Sequence, residues 1–390
     1  MKTIKLLIII TIMVTISSCI DSKKNNEEIL VCKYNKNVDL LKNKPLFKLI
    51  KVVPLETVDE SLIIQINQIA VFNDKLIILD RIQNKVLAFD DNGNYLNSIK
   101  IGKGPGELIM PGHLEVSKNG KFLYVSDLYR EIKCYDEELN FIKTINPQKL
   151  GFLSFYEIEN NQFLLSNETN KSKTFYYSIY DSNKKDIIKE FEKKNQDPYP
   201  NYTCVIADNF VNLENNLTLN CIPYSKYIRI INNKKKTVKK ICRLDLGIYD
   251  NKSLSYLAKN KKGIEFTEIC RNEKKISYFS GFLKISPNKY LFRFYELDGL
   301  SYGIADISNQ NISLYTINKI YPYNLDFMTY PIGYLNGQFI CYGQITKIIK
   351  YKDKNKSELN INSELSKLIN TNEYDNPILF YYEICKEYKD

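Results

Sequence analysis

The chain has 390 residues and is 44% hydrophobic, so it is long enough to bury the core of one large domain or two small ones. Its formal net charge is +10, but the lysines lie in asparagine-rich loop sequences such as KKNNEE and NNKKKTVKK. A nucleic-acid-binding surface needs lysine and arginine clustered on one face. The composition therefore favours solvated lysines on turns and argues against a nucleic-acid partner.

Residues 1–18 have the pattern of a signal peptide. Lys2 and Lys5 precede an apolar run, Leu6–Ile16, which is shorter than the roughly 20 residues of a membrane span. An aliphatic residue and two serines then precede Cys19, and this order resembles the lipobox of bacterial lipoproteins. We expect cleavage before Cys19 and lipidation of its sulfur. The alternative is an ordinary signal peptide followed by a chance cysteine.

The sequence after Cys19 is polar and lacks apolar periodicity. Residues 19–44 are therefore predicted to form a flexible tether. Two or more acyl chains anchor a protein stably, whereas one is marginal. The mature protein is thus expected to sit on a membrane, and no later stretch of the sequence approaches the length of a span.

Six passages between residues 60 and 390 share one order of elements. Each has a strand, an asparagine-rich turn, a second strand, a loop and a third strand. The third strands close at Asp90, Asp136, Asp181, Asn232, Asp306 and Asp353. Successive closing residues lie 45 to 51 positions apart, except for one step of 74, which predicts an insertion near residues 244–276.

A turn and a fourth strand follow most of the third strands, and the Asn-Asp and Asn-Gly turns tolerate positive φ. Four antiparallel strands in about 45 residues form the blade of a β-propeller. One blade cannot bury its own faces, so neighbouring blades must stack. The sequence predicts an all-β fold, a six-bladed β-propeller over residues 45–390. A β-sandwich with a second domain is the alternative, and it does not explain the six-fold spacing.

Two strand-like segments lie outside the six units, at residues 45–56 and 376–385. A propeller ring must be closed by pairing the two ends of the chain. One or both of these segments are expected to complete a blade shared between the termini.

Several sequence runs together resemble a known family. VPLETVDESLI, DKLIILD, VLAFDDNGNYLNSI, IGKGPGEL and the C-terminal DNPILFYYEI are similar to the six-bladed β-propeller lipoproteins of Bacteroidetes, which are relatives of the NHL-repeat propellers. The resemblance covers most of the chain and implies a lipid-anchored, extracytoplasmic propeller without a settled activity. In that group an acidic run directly after the lipidated cysteine signals export to the surface. This chain lacks such a run, which favours the periplasmic face.

In a propeller, the loops between second and third strands emerge on the same face as the connections between blades. We expect these loops to ring the mouth of the central channel. The candidate ligand-binding residues on this face are Arg81, Lys103, Glu107, Tyr129, Arg130, Tyr224, Lys226, Tyr295, Glu296, Asp298 and Gln344. Tyrosine supplies rigid area with a hydroxyl and arginine supplies a bidentate fork, so such a rim suits a polar ligand or a peptide.

Lys103 and Glu107 belong to the glycine-rich sequence GKGPGE at residues 102–107. Its spacing fits neither a dinucleotide fingerprint nor a P-loop. The sequence is therefore predicted to be a tight turn between blades, where glycine permits positive φ and proline stiffens the chain.

His113 is the only histidine, which argues against a Ser-His-Asp mechanism and excludes a multi-histidine metal centre. Packing on an inner strand is its predicted role. No cofactor is predicted, although a carboxylate calcium site of the lactonase type stays open. Besides Cys19 there are eight cysteines without C-x-x-C spacing, and Cys134, Cys221 and Cys341 are predicted to be buried free thiols rather than disulfides.

The sequence favours a membrane-anchored extracytoplasmic protein that recognises a protein, a peptide or a glycan of the cell envelope through one propeller face. One alternative is an enzyme, a lactonase-like hydrolase or a polysaccharide lyase with a carboxylate-lined central site. Another is a purely structural assembly subunit, which predicts a large apolar patch. The absence of a nucleophile constellation leans against the enzyme.

Overall fold

The computed structural model describes residues 30–39, 45–147, 151–152, 154–159, 161–167, 174–194, 210–213, 216–221, 227–245, 279–296, 299–308, 311–316, 321–322, 325 and 327–386. Within these ranges, six four-stranded antiparallel blades form a ring, which confirms the predicted six-bladed β-propeller. No helix in the described part of the chain is long and apolar enough to cross a membrane.

The strands are numbered in chain order. Two precede the first complete blade: β1 (Leu30–Asp39) and β2 (Phe47–Pro54). Blade 1 comprises β3 (Gln68–Phe72), β4 (Lys75–Asp80), β5 (Lys85–Phe89) and β6 (Tyr95–Ile99). Blade 2 comprises β7 (Pro111–Val116), β8 (Leu123–Asp127), β9 (Glu131–Tyr135) and β10 (Phe141–Ile145). Blade 3 comprises β11 (Phe155–Glu159), β12 (Gln162–Ser166), β13 (Phe175–Asp181) and β14 (Asp186–Lys193).

The other three blades follow in the same order. Blade 4 comprises β15 (Phe210–Leu213), β16 (Leu217–Cys221), β17 (Tyr227–Asn232) and β18 (Thr237–Asp245). Blade 5 comprises β19 (Phe279–Ser286), β20 (Lys289–Glu296), β21 (Gly299–Ser308) and β22 (Asn311–Thr316). Blade 6 comprises β23 (Gly333–Leu335), β24 (Gln338–Gly343), β25 (Ile378–Ile384) and the N-terminal β2. In each blade the first strand lies nearest the axis and the fourth forms the rim.

The residues that mark the sequence repeat have a structural role in the turns. Asn73 and Asp74 join the first two strands of blade 1 with φ of 49° and 61°, as a tight hairpin turn requires. Asp90 follows the third strand, and its Oδ1 accepts the backbone N–H groups of Asn92 and Asn94 at 2.9 and 2.8 Å. Burial opposes ionisation, but these hydrogen bonds lower the pKa of Asp90. The closing aspartate therefore holds the turn into the fourth strand.

Apolar side chains fill the seams between neighbouring blades. Ile78 and Leu87 of blade 1 pack in one cluster with Ile340 of blade 6. Ile77, the strand neighbour of Ile78, points to the opposite face and packs in a second cluster with Leu123 of blade 2. Successive residues of one strand point to opposite faces and therefore pack in two different seams.

The two ends of the propeller meet in blade 6. β2 pairs antiparallel with β25, from Phe47 opposite Ile384 to Pro54 opposite Ile378. The sheet order is β2-β25-β24-β23, so the N-terminal strand forms the rim and the C-terminal strand lies beside it. One or both terminal segments were expected to complete a shared blade, and the structure shows that both do.

Blade 6 departs from its prediction between its second and third strands. The sequence KIIKYKD, expected to be a strand ending at Asp353, lies in helix α1 (Ile345–Lys354). Its buried residues Ile345, Ile348 and Tyr351 recur at every third position, which places them on one helix face. The six-fold spacing suggested a strand here, but the local apolar period favours a helix.

A short helix α2 (Lys356–Ile361) and a 3₁₀ helix (Leu365–Asn370) follow α1. Together with α1 they form a helical insert between β24 and β25. Leu359, Leu365 and Leu368 of this insert are buried in the same cluster as the core residues of blade 6. The third strand of the blade is therefore supplied by the C-terminal segment.

The expectation of a flexible tether over residues 19–44 is wrong for Leu30–Asp39, which form β1. This strand pairs in parallel with β18 of blade 4, with Leu30 opposite Cys242, and with β22 of blade 5, with Tyr34 opposite Leu314. Rim strands expose unpaired backbone groups, and a strand between two rims satisfies both. The rest of the predicted tether and residues 246–278, which contain most of the predicted insertion, lie outside the described residues.

Polar side chains also connect the inner strands of neighbouring blades. Gln68 of blade 1 makes two hydrogen bonds of 2.8 Å with the backbone of Leu114 in blade 2. His113 occupies the equivalent position in blade 2. Gln68 pairs with Leu79, the residue before Asp80, and His113 pairs with Ser126, the residue before Asp127. His113 is buried, and its ring packs edge-on against Phe155 of blade 3 at 5.2 Å. Its predicted packing role is confirmed.

The environment of His113 predicts a pH-dependent stability. Burial, assisted by the charge of Arg81, lowers the pKa of His113 from 6.5 to about 3. Between these values the unfolded chain binds a proton that the folded chain does not, so the free energy of unfolding falls as the pH falls. This contribution approaches about 1.4 kcal/mol per pH unit. His113→Gln should remove it, because Gln68 shows that glutamine fits the equivalent position.

Urea denaturation of both proteins between pH 7 and pH 4 measures this difference. We expect the variant to lose less stability than the wild-type chain over that range. Parallel pH profiles of the two proteins would contradict the assignment.

Candidate ligand-binding face

The connections between second and third strands and those between blades emerge on one face, called the upper face. Two buried aspartates, Asp80 at the end of β4 and Asp127 at the end of β8, hold its loops on blades 1 and 2. The carboxylate of Asp80 accepts the N–H groups of Ile64 at 2.7 Å and Ile82 at 2.8 Å. That of Asp127 accepts the N–H of Met110 at 2.7 Å. Charge-assisted hydrogen bonds therefore fix the same loops in both blades.

Five apolar side chains on these loops are exposed to solvent, and we call this set of residues the aliphatic patch. Their exposed fractions are 40% for Leu62, 66% for Ile64, 59% for Ile82, 40% for Met110 and 37% for Leu128. On blade 1, the shared carboxylate brings Ile64 and Ile82 together. On blade 2, the N–H of Leu128 donates to the carbonyl of Met110 at 3.1 Å. Exposed apolar residues gathered in this way are typical of an interaction site.

Arg81 joins the two halves of the aliphatic patch. Its Nε and Nη2 both donate to the carbonyl of Gly112 in blade 2, at 2.9 and 2.5 Å. Its backbone N–H donates to Oδ1 of Asn67 at 2.8 Å. This predicted ligand-face residue thus clamps blade 1 to blade 2, which stiffens the loops that carry the patch.

The glycine-rich loop at residues 102–107 folds onto itself. Oε2 of Glu107 accepts the N–H of Gly104 at 2.8 Å. Gly106 has φ of +77°, and a Cβ there would lie 2.3 Å from Cβ of Phe141 on the rim of blade 2. The predicted tight turn between blades is confirmed, and glycine is required at position 106 by both its φ and its close approach to the rim.

This loop lies over the outer half of blade 2. Lys133 of β9 donates to the carbonyl of Glu107 and also contacts Oδ2 of Asp127 at 3.0 Å and Oε1 of Glu131 at 3.3 Å. Lys133 and Asp127 are both buried. The sequence had suggested that this loop rings the channel mouth. The structure places it instead against the outer strands of blade 2, away from the central axis.

The other candidate residues are placed as follows. Lys103 and Arg130 are exposed, and Tyr129 is half-buried with its ring beside Gly112. Gln344 is exposed at the start of α1. For Tyr295 and Glu296 the structure describes the backbone at the end of β20, while Tyr224, Lys226 and Asp298 lie outside the described residues.

The aliphatic patch is the feature that the sequence analysis missed. The candidate residues predicted from the sequence are charged, polar or aromatic, and none of them belongs to the patch. Aliphatic residues inside turns, such as Ile82 in DRIQNK and Leu128 in DLYRE, were the available signal. A turn normally places polar residues in solvent, so an aliphatic residue there needs an explanation.

The helical insert adds positive charge to the upper face of blade 6. Lys347, Lys350 and Lys354 of α1 are exposed. The insert is attached to the rim because Oε2 of Glu364 accepts the N–H of Val52 at 2.6 Å. Blade 6 neighbours blade 1, so this basic surface continues the upper face beyond the aliphatic patch.

Within the part of the chain that the structure describes, no group of three or more His, Cys, Asp or Glu residues could hold a metal ion. Cys134 and Cys341 are buried free thiols, as predicted, while the side chain of Cys221 lies outside the described residues. Burial raises the pKa of the Cys134 thiol to about 11 and that of Cys341 still further. Both thiols stay protonated at neutral pH and are poor nucleophiles.

Fold and ring closure define this chain as a six-bladed β-propeller. Residues 26–383 match the family described as "Domain of unknown function (DUF4934)", and the chain belongs to that family. The crystal structure of a candidate exported protein from Bacteroides fragilis NCTC 9343 is similar, with a TM-score of 0.72 and 19% identity over 92% of this chain and 100% of that chain.

A second similar structure is a member of the DUF4221 family from Bacteroides vulgatus ATCC 8482. Its TM-score is 0.52, with 11% identity over 87% of this chain and 98% of that chain. No curated protein matches the chain. At these identities the likenesses show a shared fold.

The buried contacts of Asp127 predict that its substitution destabilises the protein strongly. Asp127→Ala would leave Lys133 buried without its closest carboxylate and would unpair the N–H groups of Ile109 and Met110. We expect the free energy of unfolding to fall by about 3–5 kcal/mol. The matched control is Asp136→Ala in a solvated turn of the same blade, where about 1 kcal/mol or less is expected.

Guanidinium denaturation measures both losses. Equal losses for the two variants would contradict a special role for the buried carboxylate.

Proposed function

We propose that this chain is an extracytoplasmic binding protein, held on a membrane by lipidated Cys19, that captures a protein or peptide ligand through the aliphatic patch. The main support for this proposal is the aliphatic patch. Exposed aliphatic residues are held by two buried carboxylates and the Arg81 clamp, so little conformational freedom would be lost on binding. A preorganised apolar centre with a polar rim is the usual anatomy of a protein interface.

The chemistry of the patch favours a polypeptide over a glycan. The patch presents aliphatic side chains, whereas sugar rings are generally stacked on aromatic side chains. Exposed Arg130 lies on the same face, as do the lysines of α1. Complementary charge steers and orients a partner. The favoured ligand is therefore a segment with apolar residues flanked by acidic ones.

The upper-face aspartates give no support to the enzyme alternative. A carboxylate-lined site needs acidic groups that converge on a substrate or a metal. Asp80 and Asp127 instead bind the backbone of loops in different blades. Their carboxylates are occupied in holding the patch in place.

Export and lipidation rest on the N-terminal sequence, since residues 1–29 lie outside the described residues. The charged start, the apolar run and the small residues before Cys19 support them. The similar Bacteroides fragilis protein is named as a candidate exported protein, which agrees with this location.

A random peptide library displayed on phage tests the ligand class. Peptides that bind the immobilised wild-type chain are expected to combine aliphatic and acidic residues. Ile64→Asp and Ile82→Asp should each weaken the binding of a selected peptide at least about tenfold. Loss of a central hot-spot contact costs about 2 kcal/mol or more, which exceeds the roughly 1.4 kcal/mol of a tenfold change. Fluorescence anisotropy of the labelled peptide gives the affinity.

Leu96→Asp is the matched control, because Leu96 is 47% exposed but lies on the rim strand β6. Its affinity is expected to stay within about twofold of wild type. Equal weakening by all three variants would contradict the proposed site. A glycan array signal in the absence of any selected peptide would contradict the ligand class.

A further inference from the structure

The N-terminal strand β1 occupies one defined seam of the ring. It lies between the rim strands of blades 4 and 5 and joins them into a nine-stranded sheet. Its pairing with β18 runs from Leu30 to Lys33, and its pairing with β22 begins at Tyr34. Separating β1 would break ladders on both of its edges, so its position on the ring is fixed by backbone hydrogen bonds.

The direction of β1 is set by its two neighbours. β18 and β22 are fourth strands, so each runs from the turn after the third strand toward the upper face. β1 is parallel to both. Its N-terminal end, at Leu30, therefore points toward the opposite face, called the lower face. Leu30 is the described residue that is nearest to Cys19 in the sequence.

The seam that holds β1 lies across the ring from the aliphatic patch. In a closed ring of six blades, the junction of blades 4 and 5 is diametrically opposite the junction of blades 1 and 2. The patch belongs to the loops of blades 1 and 2, and Arg81 bridges these two blades. The patch and the attachment point of the N-terminal strand are thus as far apart as the ring allows.

The short segment between Cys19 and β1 limits how far the propeller can move from its anchor. Ten residues separate Cys19 from Leu30, and a fully extended segment of that length reaches at most about 40 Å. If the chain were free as far as residue 44, the reach would be about 90 Å and the propeller would have no preferred orientation. Docking of β1 more than halves the tether.

We infer that β1 orients the propeller, so that the lower face and the seam of blades 4 and 5 lie toward the anchoring membrane and the aliphatic patch points away from it. This inference rests on the proposed lipid anchor and on the patch as the binding site. The partner is then a polypeptide outside the anchoring bilayer, either a soluble protein or a segment displayed by a facing surface.

Energy transfer on vesicles tests the orientation. The full lipidated chain is reconstituted in phosphatidylethanolamine–phosphatidylglycerol vesicles that contain an acceptor lipid. A donor dye is attached through p-azidophenylalanine at Arg130 in the upper turn of blade 2, between β8 and β9, or at Lys235 in the lower turn of blade 4, both exposed residues. Strand and turn lengths separate the faces by on the order of 20 Å. Transfer is expected to be clearly higher from position 235 than from position 130.

The matched control replaces residues 30–39 by a glycine–serine sequence of equal length, and it should abolish the difference between the two dye positions. Hydrogen exchange gives a second readout, in which the amides of β1 in the unaltered protein should be protected like those of β18. Equal transfer from the two positions in the unaltered protein, or rapid exchange throughout β1, would overturn the inference.

Two further measurements separate this inference from the proposed function. Cys19→Ser should abolish vesicle binding, and continued binding of that variant would refute the lipid anchor itself. The affinity for a phage-selected peptide is measured without vesicles. If the peptide affinity is retained while energy transfer is equal from the two dye positions, the inferred orientation is wrong and the proposed binding site is still supported.

Discussion

Each blade of this propeller has apolar side chains on both faces, and only its neighbours can cover them. Ile77 and Ile78 of one strand enter two different seams, one toward blade 2 and the other toward blade 6. Such a sheet has no stable end, so the stack must return to its start. The N-terminal β2 meets this requirement by pairing with β25 at the far end of the chain. Every loop position on the upper face depends on that closure.

The same constraint explains why polar residues gather where blades meet. Gln68 and His113 each reach from an inner strand to the next blade, and Arg81 does so at the upper rim. Asp80 and Asp127 then fix the incoming loops to the ends of the second strands. Because these contacts immobilise the backbone, aliphatic side chains can be held in solvent instead of folding inward. The stability of the ring and the exposure of the patch thus have a common origin.

The sequence predicts well what is encoded locally and repeated. Turn residues such as Asn73 recur because each adopts positive φ, and closing aspartates such as Asp90 and Asp136 recur because each accepts the same backbone hydrogen bonds in its own unit. Prediction from the sequence fails where the structure of a segment is determined by partners that are distant in the chain. Nothing within Leu30–Asp39 reveals the two rim strands that receive it, and the apolar period of Ile345–Lys354 was outweighed by the repeat spacing.

The candidate site was predicted only in outline. The face could be deduced from propeller topology. Arg81 lies on it but is used in an internal contact, and Glu107 holds its own loop against the outer strands of blade 2. The patch residues carry no motif. Their significance comes from exposure, and exposure depends on how the buried carboxylates place the loops. The position of Ile82 inside a polar turn indicates exposure, but it does not by itself indicate a binding site.

Closure of the ring by the terminal strands is the central claim, and native-state hydrogen exchange tests it most directly. If β2 completes blade 6, its amides should exchange only through global unfolding, with the same free energy as those of β4 in the centre of blade 1. Exchange of β2 through local opening at a much lower free energy, while β4 stays protected, would contradict the account.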